Sequence, residues 1–466
     1  MPPADSPAGL DRYRSRVRDW LAAHVPERCG DGAAEEDDLA AAKAFQAALY
    51  DAGYAGITWP AECGGQGLGQ AEQQVFAEES AAFDLPSRPF LVGLGMCGPT
   101  LVDLGTPAQR ERYIRPLLRG EEIWCQLFSE PGAGSDVASL QTRAVRDGGG
   151  WVLSGQKVWT SGAQYADFGA VLARTDPAQP KHAGLTMFVL DLRQPGVSVR
   201  PLLDMTGGAP FNEVFLDQAR VPAHEVLGEV GSGWHAAVTM LGHERVSIGG
   251  MRQRRSSGVS FAALAARARA LGTAADPLVR DSLARLYAHE RALDLYNARL
   301  RAEAAAGRPP GARGSVAKLA GALTLHRAVE TAGLLAGPAA TAWEDGDEAA
   351  ADLAAGILSA PASSIAGGTN EIQRTIIGER VLGLPREPQA DQGVPFRDLQ
   401  VGTQRAAGAG TAGAGTARPG TTRPGTAGPD DAGADAAGPD AAGPDAAGPD
   451  AAGHRRAPRG EPGGQP

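Results

Sequence analysis

The chain is predicted to be an α+β protein in three ordered parts with a low-complexity tail, and three observations predict it. Residues 8–120 and 232–384 carry apolar side chains at helical spacing, whereas residues 121–228 break into short apolar runs separated by Gly, Pro, Asp and Asn. Strand and helix patterns do not alternate, which disfavours a doubly wound parallel sheet. From about residue 388 the composition collapses into Gly, Ala, Pro, Thr and Asp, with Ala-Ala-Gly-Pro-Asp repeated in tandem across 436–450. The expected parts are therefore a helical domain over 1–120, an antiparallel β-domain over 121–230, a helical domain over 231–387 and a disordered tail over 388–466. Such a tail buries too little apolar surface to offset its ordering entropy, and no part in catalysis is expected of it.

The elements follow in order. Leu10, Tyr13, Val17, Trp20 and Leu21 share one face of a first helix. A second helix is expected over roughly 36–52, ending at Gly53, and a glycine-rich loop runs on to Gly69. Two more helices are expected near 70–83 and 107–119, the latter opened by Thr106 as cap and Pro107 in the first turn. Strands are expected at Trp151 to Leu153, Gln156 to Thr160, Phe168 to Ala173, Leu185 to Leu192 and Glu213 to Leu216. In the last helical part, Leu283, Leu286, Tyr287, Leu293, Tyr296 and Leu300 keep to one face, as do Val316, Leu319, Ala320 and Leu323.

Bulk properties exclude several classes. With 466 residues, 43% of them hydrophobic and 21% charged, the chain is long enough for a large core. A formal charge of -10 disfavours non-specific nucleic-acid or membrane-surface binding, while leaving room for a local basic pocket. Cys29, Cys63, Cys97 and Cys125 are widely spaced with no C-x-x-C pair, so free thiols in a reducing compartment are expected rather than a metal site or disulfides. No apolar run approaches membrane-spanning length, and the N-terminal residues lack signal-peptide architecture; a cytoplasmic residence is expected.

Several segments, in register across 8–387, resemble the acyl-CoA dehydrogenase family: GYAGITWPAECGGQGLG from Gly53, FSEPGAGSDV from Phe128, GQKVWTSG from Gly155, FNEVFLDQARV from Phe211 and IAGGTNEIQRTIIGE from Ile365. Residues Pro222 to Gly233 add to the match. The resemblance implies a helical N-terminal domain, a middle β-domain, a C-terminal four-helix bundle and FAD as cofactor. It places Phe128 and Ser129 where a strand contacts the flavin ring through its backbone and a hydroxyl, and Ser135 where a serine meets the CoA side of the substrate. Trp159 falls at the aromatic that packs on the ring, Ser161 at the hydroxyl bonded to ring N5, and Thr369 and Glu371 at the ribityl and pyrophosphate contacts. Glu371 departs from the amide common there. The Glu130-to-Asp136 turn is not a dinucleotide fingerprint, since no strand precedes it and no helix follows in the required way.

The chemistry needs a carboxylate beside the thioester α-carbon, desolvated so that it can act as a base. In much of the family that base directly precedes the Gly-Thr pair; here the position is Gly367. Glycine retains the backbone N–H that the resemblance assigns to the thioester oxygen. Other members carry the base on a different helix directly before an arginine, and Glu244-Arg245 occupies that position. Outside this context the pair reads as an ordinary salt-bridged surface pair. The resemblance implies α,β-dehydrogenation of an acyl-CoA, electron transfer to an electron-transfer flavoprotein, and a dimeric or tetrameric assembly, and the missing side chain at 367 implies a branched, cyclic or otherwise bulky acyl group. The arginine motif lent to a neighbouring subunit's flavin is altered to Arg267-Ala-Arg269-Ala-Leu271-Gly, and the glycine loop at Gly333–Pro338 lacks its glutamine. These departures keep open a partner subunit of a mixed assembly; an oxygen-using flavoenzyme of the same fold and a carrier-protein thioester as substrate are also open.

Overall fold

Helix α1 (Pro7–His24) buries Tyr13, Val17 and Leu21, the spacing the sequence displays, and ties to α3 (Gln70–Glu79) through Arg14 and Arg18, both bound to Glu79. With Leu49 of α2 (Leu39–Asp51), Val75 and Phe76 they form one apolar cluster. The computed structural model describes residues 7–25, 39–252, 259–306, 308, 310–342, 344, 346–388 and 391–399. Cys29 and the tail from residue 400 lie outside the described residues; Cys63, Cys97 and Cys125 are buried free thiols. A short helix α4 (Gly98–Leu104), absent from the sequence expectation, precedes α5 (Pro107–Leu118). Thr106 caps α5 as expected: its hydroxyl accepts from the Gln109 N–H at 3.2 Å while the Gln109 side chain accepts from the Thr106 N–H at 2.9 Å.

The β-domain holds seven strands: β1 (Trp124–Leu127), β2 (Arg143–Asp147), β3 (Gly150–Ser161), β4 (Phe168–Arg174), β5 (Leu185–Asp191), β6 (Val197–Leu202) and β7 (Phe211–Pro222). The main path runs β1-β4-β2-β3-β7-β6, with β5 on β4. Most pairs are antiparallel, but β1 pairs with β4 in parallel, as does Arg143 of β2 with Arg174. The long stretch between Leu127 and Phe168 provides the crossover a parallel pair requires. The two runs separated at Gly155 in the sequence are a single strand, β3, whose pairing with β7 slips between Leu153 and Gly155 and again between Lys157 and Thr160. The first slip is a close approach: a Cβ on Gly155 would stand 2.7 Å from the Thr142 Cα, so only glycine lets β3 press against that backbone.

The last helices are α6 (Gly233–Arg252), α7 (Phe261–Ala270), α8 (Pro277–Ala305), α9 (Gly314–Ala336), α10 (Glu348–Ser359) and α11 (Asn370–Ile376). Leu264, Leu283, Leu286, Ala328, Ala332 and Leu353 join α7, α8, α9 and α10 in one cluster. Ala236, Ala237 and Met240 seat the first half of α6 against Leu172, Leu185 and Met187 of the sheet. The face expected on α9 is not the buried one, since Leu323 is exposed while Ala322, Thr324 and Ala328 are buried. No helix among the described residues is long and apolar enough to cross a membrane, and the described His, Cys, Asp and Glu residues form no metal-binding group.

Residues 391–399 depart from the expectation of a featureless tail. The Phe396 N–H donates to the Gln179 carbonyl at 2.9 Å and the Arg397 N–H to the Pro177 carbonyl at 3.0 Å, so this stretch lies along the loop joining β4 to β5. One aromatic and one acidic side chain, diluted among small residues, supply the contacts that composition averages away.

Gly155→Ala is expected to lower stability by about 1–3 kcal/mol through overpacking, read as a lower urea midpoint with an unchanged slope.

Candidate active site

The segment leaving β1 is built around a buried ion pair. Lys157 is fully buried, and its ammonium donates to the Phe128 carbonyl at 3.1 Å, the Glu130 carboxylate at 2.8 Å and the Leu172 carbonyl at 2.8 Å. Those three acceptors satisfy all three of its N–H bonds. The Glu130 carboxylate also accepts from the N–H groups of Gln141 at 2.6 Å and Thr142 at 2.9 Å. Burial pushes the Glu130 carboxyl up, but the Lys157 charge and these hydrogen bonds outweigh it and leave the group below its ordinary value. Burial draws the Lys157 ammonium down, and Glu130 restores it only in part. Between the two bonded positions, the Ser129 carbonyl accepts from the Val158 N–H at 2.9 Å. Phe128 itself is packed in the core, so it offers the site backbone rather than its ring.

Two residues beyond Lys157 the second bulge delivers Trp159. Its φ is 61°, a left-handed conformation rare for an aromatic residue. Val158 and Thr160 stay buried, while the Trp159 ring turns outward, 58% exposed, edge-on to Phe211 at 5.8 Å. Ser161 is exposed and stands opposite Phe211 across the β3–β7 ladder. The aromatic ring is therefore held in a strained backbone and presented outward rather than packed in the core.

The turn after Glu130 closes on itself, with Glu130 and Ala133 exchanging both backbone hydrogen bonds at 3.0 Å. Ser135 is exposed on it.

Helix α11 brings three candidates together. Thr369 caps it, its hydroxyl accepting from the Ile372 N–H at 3.2 Å. Gly367 and Gly368 precede it with φ of 69° and 86°, and the Gln373 amide donates to the Gly367 carbonyl at 2.8 Å. Glu371 points outward, its side chain 78% exposed and 3.5 Å from Arg374. Glu244 is on a third element, buried at 7% exposure in α6. Its neighbour His243 faces away to α4, bonded to Asp103 at 2.8 Å. Arg245 lies in the same helix, but its side chain is outside the described residues. Helix α9 packs against α6, against α11 and against the turn Ala360–Ser364; from α9, His326 bonds Ser364 at 2.9 Å, and Asn370 bonds the same hydroxyl at 3.0 Å. Glu244 and the residues before α11 are thus carried on elements that share one support.

Sequence profiles cover nearly all of this architecture: the acyl-CoA dehydrogenase N-terminal domain over residues 10–121, the middle domain over 125–219 and the C-terminal domain over 231–382. The chain belongs to the acyl-CoA dehydrogenase family. It is 39% identical over 384 residues to the acyl-CoA dehydrogenase IpdE1 of Mycobacterium tuberculosis, an alignment spanning 81% of this chain and 98% of that one. Among solved structures it is similar to the Tcur3481-Tcur3483 steroid ACAD, with 31% identity, a TM-score of 0.70 and coverage of 83% of this chain and 100% of that chain. The ChsE4-ChsE5 complex from Mycobacterium tuberculosis is also similar, at 28% identity and a TM-score of 0.64, over 83% of this chain and 100% of that one. As an acyl-CoA dehydrogenase, the chain is an enzyme with the helical, β and helical order read from its sequence.

Sequence reasoning missed Lys157, Glu130, Phe211 and Gln373. The available signal was Lys157 inside the apolar run from Gln156 to Thr160 and two residues before the motif tryptophan, but a lysine in a strand ordinarily reads as solvent-facing.

Glu130→Gln is expected to lower stability at neutral pH by about 3–5 kcal/mol, because it leaves the Lys157 charge buried and uncompensated. The folded carboxyl lies below its ordinary 4.5, so its contribution is complete above that value and is lost as pH falls through the folded one. Urea melts at descending pH should therefore show the variant and the native chain converging in acid.

Proposed function

We propose that the chain catalyses FAD-dependent α,β-dehydrogenation of a bulky acyl-CoA to the trans-2-enoyl thioester, with Glu244 as the base. The observation that carries the reading is a buried glutamate on α6 in a family member whose residue 367 has no side chain. Desolvation is what makes a carboxylate basic enough to take an α-proton. In this reading Glu244 takes that proton, and the Gly367 N–H donates to the thioester oxygen as negative charge develops there. The Gly367 carbonyl is already held by Gln373, which fixes the peptide orientation on one side. Arg245 shapes the site beside the base, and Ser135 meets the CoA portion.

The residues present fit a flavin. An outward tryptophan ring with a perpendicular phenylalanine beside it offers an apolar wall to a planar group; Ser129 is bonded through its carbonyl to the residue before that tryptophan, and Ser161 is paired across the ladder with that phenylalanine. Phe128 would contribute backbone. The Thr369 hydroxyl accepts from Ile372 and keeps its own proton to donate to ribityl or pyrophosphate oxygen. Glu371 would contribute its backbone N–H, since its carboxylate turns to Arg374 and solvent. FAD bound there would supply the hydride acceptor for the β-carbon. Delivery of the electrons to an electron-transfer flavoprotein and a cytoplasmic setting complete the reading.

Two features support a bulky, polycyclic acyl group: the glycine pair at 367 and 368, and the 31% identity to a protein described as a steroid ACAD. One structural neighbour is described as the ChsE4-ChsE5 complex, and the steroid ACAD carries a double designation. With Leu271 in the arginine motif and the altered loop at Gly333–Pro338, this favours an assembly in which a sister chain completes the cofactor site over a homotetramer.

Anaerobic addition of linear, branched and polycyclic acyl-CoAs to the purified protein should bleach the visible flavin band, fastest with the bulky thioesters. Glu244→Gln should keep that band and lower turnover by about 10²–10⁴-fold. Full activity in this variant would remove Glu244 as base, and fastest turnover with short unbranched chains would remove the bulky substrate. A colourless chain that turns yellow only when expressed with a sister chain would establish the mixed assembly.

A further inference from the structure

The stretch 391–399, the β4–β5 loop and the turn after Glu130 form one connected network. Arg174, 4% exposed at the end of β4, donates to the Lys181 carbonyl at 2.7 Å, to the Ala138 carbonyl at 2.5 Å and to the Leu140 carbonyl at 3.4 Å. The first bond fixes the loop, and the other two fix the end of the turn that carries Ser135. The guanidinium is covered by the Phe396 ring, 3.7 Å from the ring centroid. A second link runs parallel to the first. The Lys181 ammonium binds Asp136 at 3.0 Å and Asp391 at 2.7 Å, with its side chain only 18% exposed. Asp136 directly follows Ser135 and also accepts from the Ser139 hydroxyl. The backbone bonds of Phe396 and Arg397 to the loop, with a bridge between Pro180 and Pro395, hold the stretch in register over both links.

We propose that residues 391–399 are a strap that presets the turn 131–139 for the CoA portion of the substrate, with Lys181 and Arg174 as positioning residues. The inference rests on the reading of Ser135 as a CoA contact. The turn needs such a device. Ala133, Val137 and Ala138 anchor its inner side in the core, but Gly132 and Gly134 have no heavy atom within 4 Å of a notional Cβ and Pro131, Gly132, Gly134, Ser135 and Asp136 are all exposed, so the outer side that carries Ser135 has little packing of its own. Further order on that outer side is supplied from the far side of the loop. Phe396 shields the Arg174 bonds from water and strengthens them, and Asp391 holds the Lys181 ammonium where it can reach Asp136.

The test uses the full-length chain, purified with its sister chain where its flavin requires one, with three variants, Phe396→Ala, Asp391→Asn and the conservative Phe396→Tyr, and two measurements without turnover. Amide hydrogen exchange over 131–140 in the absence of substrate should quicken about tenfold in Phe396→Ala and Asp391→Asn, equivalent to about 1.4 kcal/mol of local opening, and be restored by Phe396→Tyr. The dissociation constant for free CoA, measured by calorimetry, should rise about tenfold in the same two variants while the melting temperature barely changes. Unchanged exchange in both variants would overturn the strap whatever the substrate is. Faster exchange with unchanged CoA affinity would overturn it differently, by removing the turn from the CoA site. A native chain with no affinity for CoA would instead sink the functional reading on which the strap depends.

Discussion

One lysine ammonium, sealed from water, holds this β-domain in its working shape. Lys157 on β3 can be buried only because two separate stretches of chain supply its three acceptors, Phe128 and Glu130 after β1 and Leu172 in β4. Each acceptor that moved away would leave a charged donor unsatisfied in a medium that cannot hydrate it. The end of β1, the start of the turn and the middle of β4 are thereby located relative to β3. Ser129 is fixed between two of the bonded positions, and Trp159 emerges two residues after the lysine. Replacing such a pair with apolar residues can match its stability. What the pair adds is register, which is what a site assembled from two strands requires.

The order of helical, β and helical parts was legible because periodicity survives averaging over a window. Short or polar elements were not. Strand β1 has four residues, β2 reads Arg-Ala-Val-Arg-Asp with one buried position, and β6 contains Pro201. Each is a strand because of its neighbours rather than its own pattern. The exposure of Leu323 has a related origin, since an apolar residue marks a face that has some partner without saying that the partner lies in the same chain.

The candidate site was half legible. The motif residues Trp159, Ser161, Thr369 and Glu244 could be named from local context. Their presentation could not, because a left-handed backbone is normally announced by glycine or asparagine and here falls on a tryptophan. The contacts of 391–399 were hidden for the opposite reason. A compositional argument concerns the average residue, and the docking depends on one ring and one carboxylate.

The glycine pair before α11 bears on history as well as on space. With φ at 69°, any L-residue introduced at 367 would begin with a cost of about 1–2 kcal/mol, and the Gln373 bond to the carbonyl resists the rotation that would relieve it. A carboxylate there therefore carries a backbone cost as well as a change of side chain. Relieving that cost would mean turning the peptide and giving up the Gln373 bond. The left-handed peptide therefore works as a ratchet against regaining a side chain at 367. Each substitution at 367 starts from a strained backbone, so the position resists acquiring any side chain at all.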